Sequence, residues 1–162
     1  MATVRSFEEL EVWQRARKYS YKLSEVLERE KARRDYALKD QVGRATGSIM
    51  DNIAEGFDRG GNRELIQFLS ISKGSTAETQ SQLYRMLDRN YLSAVEFKEL
   101  LEEAKTIGKM LGSLISYLKQ SGMKGSKFHE PCMTYATRNP EPETLNPKLR
   151  TRNSEFGTRN ST

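Results

Sequence analysis

Residues 38–56 read LKDQVGRATGSIMDNIAEG. Apolar side chains fall at Leu38, Val42, Ala45, Ile49 and Ile53. Steps of three and four place all five on one side of an α-helix, whose period is 3.6 residues. Beside that stripe runs a polar one at the same spacing: Gln41, Arg44, Ser48, Asn52 and Glu55. The stretch therefore predicts an amphipathic helix from about residue 36 to 55. Gly56 suits the left-handed residue just past a helix end, and Gly60 and Gly61 mark a short loop.

The same periodicity continues in both directions. Upstream, Ser6 and Glu9 have the spacing of a capping box, so a first helix should begin there. Its apolar positions are Phe7, Leu10, Trp13, Ala16, Leu23 and Leu27, with the small Ser20 among them. Core packing is the first reading of Trp13 and an interface anchor the second. The almost wholly charged residues 28–35 form the connection. Downstream, Asn62 is a good N-cap for a third helix. Its stripe is Leu65, Phe68, Leu69, Ser72, Ser75, Thr79, Leu83, Met86 and Leu87, with small residues at its middle around Gly74. A helix over residues 62–90 spans about 43 Å at 1.5 Å per residue. A fourth helix starts at a second capping box, Ser93 and Glu96, with Leu92 and Phe97 at the hydrophobic-staple positions. Its stripe runs from Leu100 and Leu101 through Ala104, Ile107, Leu111, Leu114 and Ile115 to Leu118. No run alternates as a strand does. Four amphipathic helices with short connections bury their stripes most economically as an all-α, antiparallel, up-down-up-down four-helix bundle.

Composition changes sharply after residue 121. Residues 1–121 hold 49 of the apolar residues and residues 122–162 only 9, about 40% against 22%. All four prolines (Pro131, Pro140, Pro142 and Pro147) lie in the second segment, where Thr-Arg-Asn occurs three times. That composition predicts a disordered, basic, Pro/Asn-rich tail over 122–162. Charge divides the same way: of the net +5, the bundle carries +2 and the tail +3. A +2 body is only a weak pointer to nucleic acid. The lone Cys132 excludes an intrachain disulfide and fits a reducing compartment. The first residues carry no apolar signal region, and no window is long and apolar enough to span a membrane. The expected location is cytoplasmic, without membrane contact.

Gln41, then Arg44-Ala45, Ser48-Ile49 and Asn52-Ile53-Ala54-Glu55-Gly56, followed by Gly74-Ser75 and Glu78, resembles the four-helix-bundle proteins of the 23S rRNA intervening-sequence family. Phe7, Leu10, Val12 and Trp13 resemble that family's first helix. The resemblance covers about residues 6–120, with Ser72 where the family usually has alanine and no family counterpart to the tail. It implies a bacterial-type protein that assembles as a ring-like homopentamer, with nucleic-acid binding suspected.

Three groups of candidate residues follow. Gln41, Arg44, Ser48, Asn52, Glu55 and Glu78 form a candidate polar network, either a binding site or a satisfied network that fixes helix register. Glu55 and Glu78 are expected to pair with Arg44 or to cap a neighbouring helix. Two Glu-x-x-His sets would be needed for a bundle di-metal site, and residues 1–121 contain no histidine. His129 and Cys132 are too few ligands for a metal. Neither a metal, a cofactor nor a small-molecule substrate is expected. Candidate phosphate contacts are Arg15, Lys18 and Lys22 on the first helix, Arg33 and Arg34 in the connection, and Arg59 and Arg63 at the turn after the second. That turn is glycine-rich but lacks the Gly-Lys-Ser/Thr ending and preceding strand of a phosphate loop. Candidate subunit-interface residues, lying off the main stripes, are Val12, Tyr21, Ile66, Ile71 and Tyr117.

The expected function is that of a non-catalytic homo-oligomeric helical module, with RNA or another nucleic acid as candidate ligand. The alternative is a protein-interaction scaffold with no nucleic-acid role, and an enzyme of unknown chemistry ranks third. Because the tail has no apolar face to bury, truncation after Gly122 is expected to leave Tm and oligomer state unchanged. Thermal melting and native mass of the truncated chain test this, and a Tm drop of several degrees would refute it.

Overall fold

The computed structural model describes residues 4–121, and the expectations for the tail, His129 and Cys132 included, lie outside them. A 3-10 turn, Phe7–Glu9, precedes four helices: α1 (Glu11–Leu27), α2 (Tyr36–Asp58), α3 (Asn62–Asp88) and α4 (Ala94–Ser121). Among the described residues no strand occurs, and no helix is long and apolar enough to cross a membrane.

Residue pairs across the interfaces give the helix directions. Between α2 and α3, Gln41 meets Arg85, Ser48 meets Ser75, and Gly56 faces Leu65 and Phe68. Numbers rise on one helix as they fall on the other, so the two are antiparallel. Between α3 and α4, Tyr84 packs edge-on against Phe97, Gly108 lies beside Thr76, and Asn62 donates to the Leu118 carbonyl at 2.9 Å. Arg15 of α1 pairs with Glu103 of α4, and Arg29, just past the end of α1, pairs with Glu96 near the start of α4. These directions make the expected up-down-up-down bundle.

The α2 stripe is buried at every position, from Leu38 to Ile53. So is the α4 stripe, where Ile107 and Leu111 have no exposed surface. The middle of α3 is different, because Ser72, Ser75, Thr76 and Thr79 are buried there. Buried hydroxyls are costly unless bonded. Ser72 donates across the interface to the Ile49 carbonyl at 2.8 Å, and Thr76 and Thr79 each donate one turn back along α3 at 2.9 Å. Small bonded side chains thus let α2 and α3 approach closely.

Two helix starts differ from each other for a visible reason. Ser93 and Glu96 form the expected capping box: the Glu96 N–H donates to Ser93 Oγ at 3.2 Å, and the Ser93 N–H to Glu96 Oε2 at 2.9 Å. Leu92 is buried and Phe97 packs on the core, as a staple requires. Ser6 and Glu9, by contrast, cap only the 3-10 turn. Leu10 is extended at φ −69° and ψ 121°, and α1 begins after it.

Leu10, Ala16, Leu23 and Leu27 of the expected stripe are buried, but two of its positions are shifted by one residue. Val12 and Tyr19 are buried in place of Trp13 and Ser20. Val12 is 1% exposed and belongs to the core, so it is not a surface residue available to a subunit interface. Trp13 is half-buried, edge-on to Phe7 at 5.1 Å, with the Arg17 guanidinium 5.9 Å from its ring centre. The Tyr19 hydroxyl is buried with no hydrogen-bond partner among the described groups, and burial, aided by Glu103, raises its pKa far above the usual phenol value.

Two further expectations are corrected around the α2–α3 turn. Gly56 lies inside α2 and is buried; the left-handed residue is Gly60, at φ 66°. Gly61, rather than Asn62, is the N-cap of α3, which frees the Asn62 amide to hold the end of α4. A Cβ on Gly56 would stand 2.7 Å from Phe68 Cβ and 3.2 Å from Leu65 Cδ1. Gly56→Ala is therefore expected to destabilise by about 1–3 kcal/mol through overpacking, despite alanine's better helix propensity. Denaturant unfolding checks it; a stabilised variant would show that these helices separate freely.

The α4 cap predicts an acid response. The Arg29 guanidinium, followed by the Ser93 N–H and hydroxyl, lowers the Glu96 pKa to about 2. A group lowered in the folded state stabilises fully above its ordinary value, here 4.5, and loses that contribution as pH falls toward about 2. Glu96→Gln is expected to lose stability near neutrality and to show a flatter acid limb between these values, read from denaturation midpoints across pH.

Candidate functional site

The α2–α3 seam carries most of the polar residues singled out from the sequence. Ser48 Oγ lies 2.8 Å from Ser75 Oγ. Asn52 donates to Ser48 Oγ at 3.0 Å and to the Ser48 carbonyl at 2.7 Å. One turn towards the start of α2, an open groove of about 500 Å³ lies between the helices. Gln41, Arg44, Ala45 and Ser48 line it from α2, and Glu78, Ser81, Gln82 and Arg85 from α3. The small Ala45, Ser48 and Ser81 leave the space, and the longer side chains ring it.

Hydrogen bonding within the groove is incomplete. Arg85 donates to Gln41 Oε1 at 2.6 Å, and Gln82 Nε2 donates to Glu78 Oε1 at 3.2 Å. Gln82 is only 3% exposed, and its Oε1 has no partner. Leaving a buried acceptor unbonded costs about 1–3 kcal/mol. Arg44 pairs with Asp40 at 2.6 Å on its own helix. Among the described residues, Arg85 has no carboxylate partner and Glu78 no cationic one.

Four of the six expected network residues thus share one groove: Gln41, Arg44, Ser48 and Glu78. Asn52 joins it through Ser48. Glu55 does not: it pairs with Arg59 at the far end of α2. Neither Glu55 nor Glu78 reaches Arg44, because each side chain finds its partner one turn away on its own helix. Glu55 and Glu78 are also separated, since Gly56 packs at Phe68, ten residues or about 15 Å along α3 from position 78. Gln82 and Arg85 were missed from the sequence. Their signal was present, as 78, 82 and 85 repeat on α3 the three-and-four spacing of 41, 44 and 48 on α2.

The candidate cations are scattered along the bundle. Arg15 is tied to Glu103 at 3.0 Å and to Glu11 at 3.4 Å. Lys18 and Lys22 are exposed on α1 beside Tyr21, itself 64% exposed. Arg33 and Arg34 are exposed in the α1–α2 connection, Arg34 facing Glu30 at 3.6 Å. Arg59 and Arg63 sit at the other end of α2, and the Arg59 guanidinium lies 4.8 Å from the Phe68 ring centre. Of the expected interface residues, Tyr21 and Ile71 (44% exposed) lie on the surface, while Ile66 and Tyr117 are half-buried against the core.

The model of the 23S rRNA-intervening sequence protein family matches residues 8–113, about two thirds of the chain. The chain belongs to that family. As an intervening-sequence protein it also has a structural likeness in a crystal structure from Bacteroides thetaiotaomicron, a protein of unknown function from the S23 ribosomal protein family. The two superpose with a TM-score of 0.59 at 21% identity, over 64% of this chain and 97% of that one. At that identity the likeness is one of fold. No curated protein matches the chain.

Proposed function

We propose that this intervening-sequence protein is a non-catalytic, homo-oligomeric helical module of the cytoplasm that binds RNA. The observation that carries the reading is the outer face of α1. There Tyr21 is exposed beside Lys18 and Lys22, and neither lysine has a carboxylate partner among the described residues. Lysines attract the phosphate backbone and an exposed aromatic ring offers a stacking surface, the combination that holds single strands. The family's name, which refers to a ribosomal RNA insertion, agrees with it.

Assembly multiplies so small a patch. A closed ring, the homopentamer that the resemblance implies, repeats the face of α1 around its circumference. Exposed Ile71 on α3 is the apolar residue on which such a contact would be built. The rival reading, a protein-interaction scaffold without nucleic acid, rests on the other exposed apolar side chains, Tyr36, Tyr84 and Val95.

Light scattering and a gel shift against salt test both parts. The wild-type chain is expected to run as a closed oligomer and to shift single-stranded RNA. That affinity should fall steeply with ionic strength, and Lys18→Glu/Lys22→Glu should reduce it at least about tenfold at low salt through lost phosphate contacts. Ile71→Glu should release folded monomers. A monomeric wild type refutes the assembly, and RNA binding indifferent to salt or to the α1 lysines refutes the nucleic-acid face.

A further inference from the structure

Among the described residues, three groups of the α2–α3 groove have unfinished bonding, and they ask for two kinds of partner. Arg85 is a cation without a carboxylate partner, so it calls for an anion. Glu78 is a carboxylate without a cationic partner, and buried Gln82 Oε1 is an acceptor without a donor. Both call for N–H groups. Glu78, Gln82 and Arg85 succeed one another by one helical turn each, so the donor-seeking end and the anion-seeking end stand about 10 Å apart along α3. A ligand that fits carries an anion at one end and a cluster of N–H donors at the other.

An amino-acid zwitterion is too short for that span, since its ammonium and carboxylate share one carbon. A purine nucleotide is not, because its phosphate and the outer edge of its base are separated by the sugar and the ring system. Among the four RNA bases, guanine alone places two donor groups side by side on the pairing edge, N1–H and the N2 amine. N1–H and one N2–H can meet the two oxygens of one carboxylate, and the second N2–H remains for Gln82 Oε1. Adenine and cytosine offer a single amine and uracil a single imino N–H. The groove, at about 500 Å³, falls within the usual range of small-ligand sites.

We propose that the groove between α2 and α3 is a guanine-nucleotide site, in which Glu78 and Gln82 take the base edge and Arg85 takes the phosphate. The chemistry is shared by free guanosine monophosphate and by an unpaired guanine within RNA. In its RNA arm the inference rests on the nucleic-acid reading above.

Isothermal titration of the full chain separates the cases, using GMP, AMP, CMP, UMP and phosphate-free guanosine. A short single-stranded RNA with one guanine, and its inosine counterpart lacking the N2 amine, complete the set. GMP is expected to bind at least about tenfold more tightly than the other three nucleotides, the size of one bidentate base contact. Glu78→Gln, at an exposed position, should remove that preference without lowering Tm. Arg85→Gln should weaken all four nucleotides and leave guanosine unchanged. Equal affinity for the four nucleotides, no binding of GMP or guanine RNA, or a preference that survives Glu78→Gln overturns the site. RNA retained with no difference between guanine and inosine overturns the site and leaves the RNA-binding reading standing. GMP bound with no RNA retained supports the site for the free nucleotide and removes the RNA reading.

Discussion

Close approach of α2 to α3 is the constraint on which the bundle is arranged. It is made by removing side chains rather than by fitting large ones together. Gly56 lets α2 lie against Phe68 and Leu65, and Ser48 and Ser75 meet through their hydroxyls. Ser72 reaches the Ile49 backbone directly. Small residues contribute little apolar area, so this contact relies on hydrogen bonds and dispersion between backbones. The large apolar side chains of α1 and α4 then close over the remaining faces. Ser72, which stands where the resemblance led us to expect alanine, is no defect in this scheme, because its hydroxyl becomes an interhelical bond.

Periodicity carried most of the fold. The α2 and α4 stripes are buried where the sequence put them, because each helix is uninterrupted and its apolar positions are large. Ser93 and Glu96 were legible as a cap for the same reason: their partners lie within four residues. The failures come from contacts that pattern cannot carry. Leu10 breaks the chain between a 3-10 turn and α1, and that kink shifts the first turn of the stripe, while Ala16, Leu23 and Leu27 keep their expected burial. Trp13 consequently yields its core place to Val12. Gly56 looked like a helix end because glycine serves there, yet its missing Cβ is used by a neighbour twelve residues away.

The candidate site was half legible. Polar spacing on α2 pointed to Gln41, Arg44 and Ser48, and Glu78 was attached to them through the resemblance. Gln82 and Arg85 went unnoticed because α3 was read for its apolar stripe, and a glutamine beside leucines resembles any solvated position. Only burial separates the two: Gln82 is covered while its amide remains half satisfied. Glu55 shares both the polar spacing and the resembling motif, and neither says where along a helix the partner helix widens into a groove.

Tyr19 carries a consequence of an optical kind. Its phenol is sealed in the core of α1, and burial together with Glu103 keeps the proton in place. The folded chain holds that proton where the unfolded chain would release it, so stability declines as pH climbs past the ordinary phenol value of 10.0. Alkali must open the bundle before this ring can ionise. Of the phenolate ultraviolet band of the seven tyrosines, the part that develops slowly after a jump to alkali therefore serves as a clock for opening, with no dye or label attached.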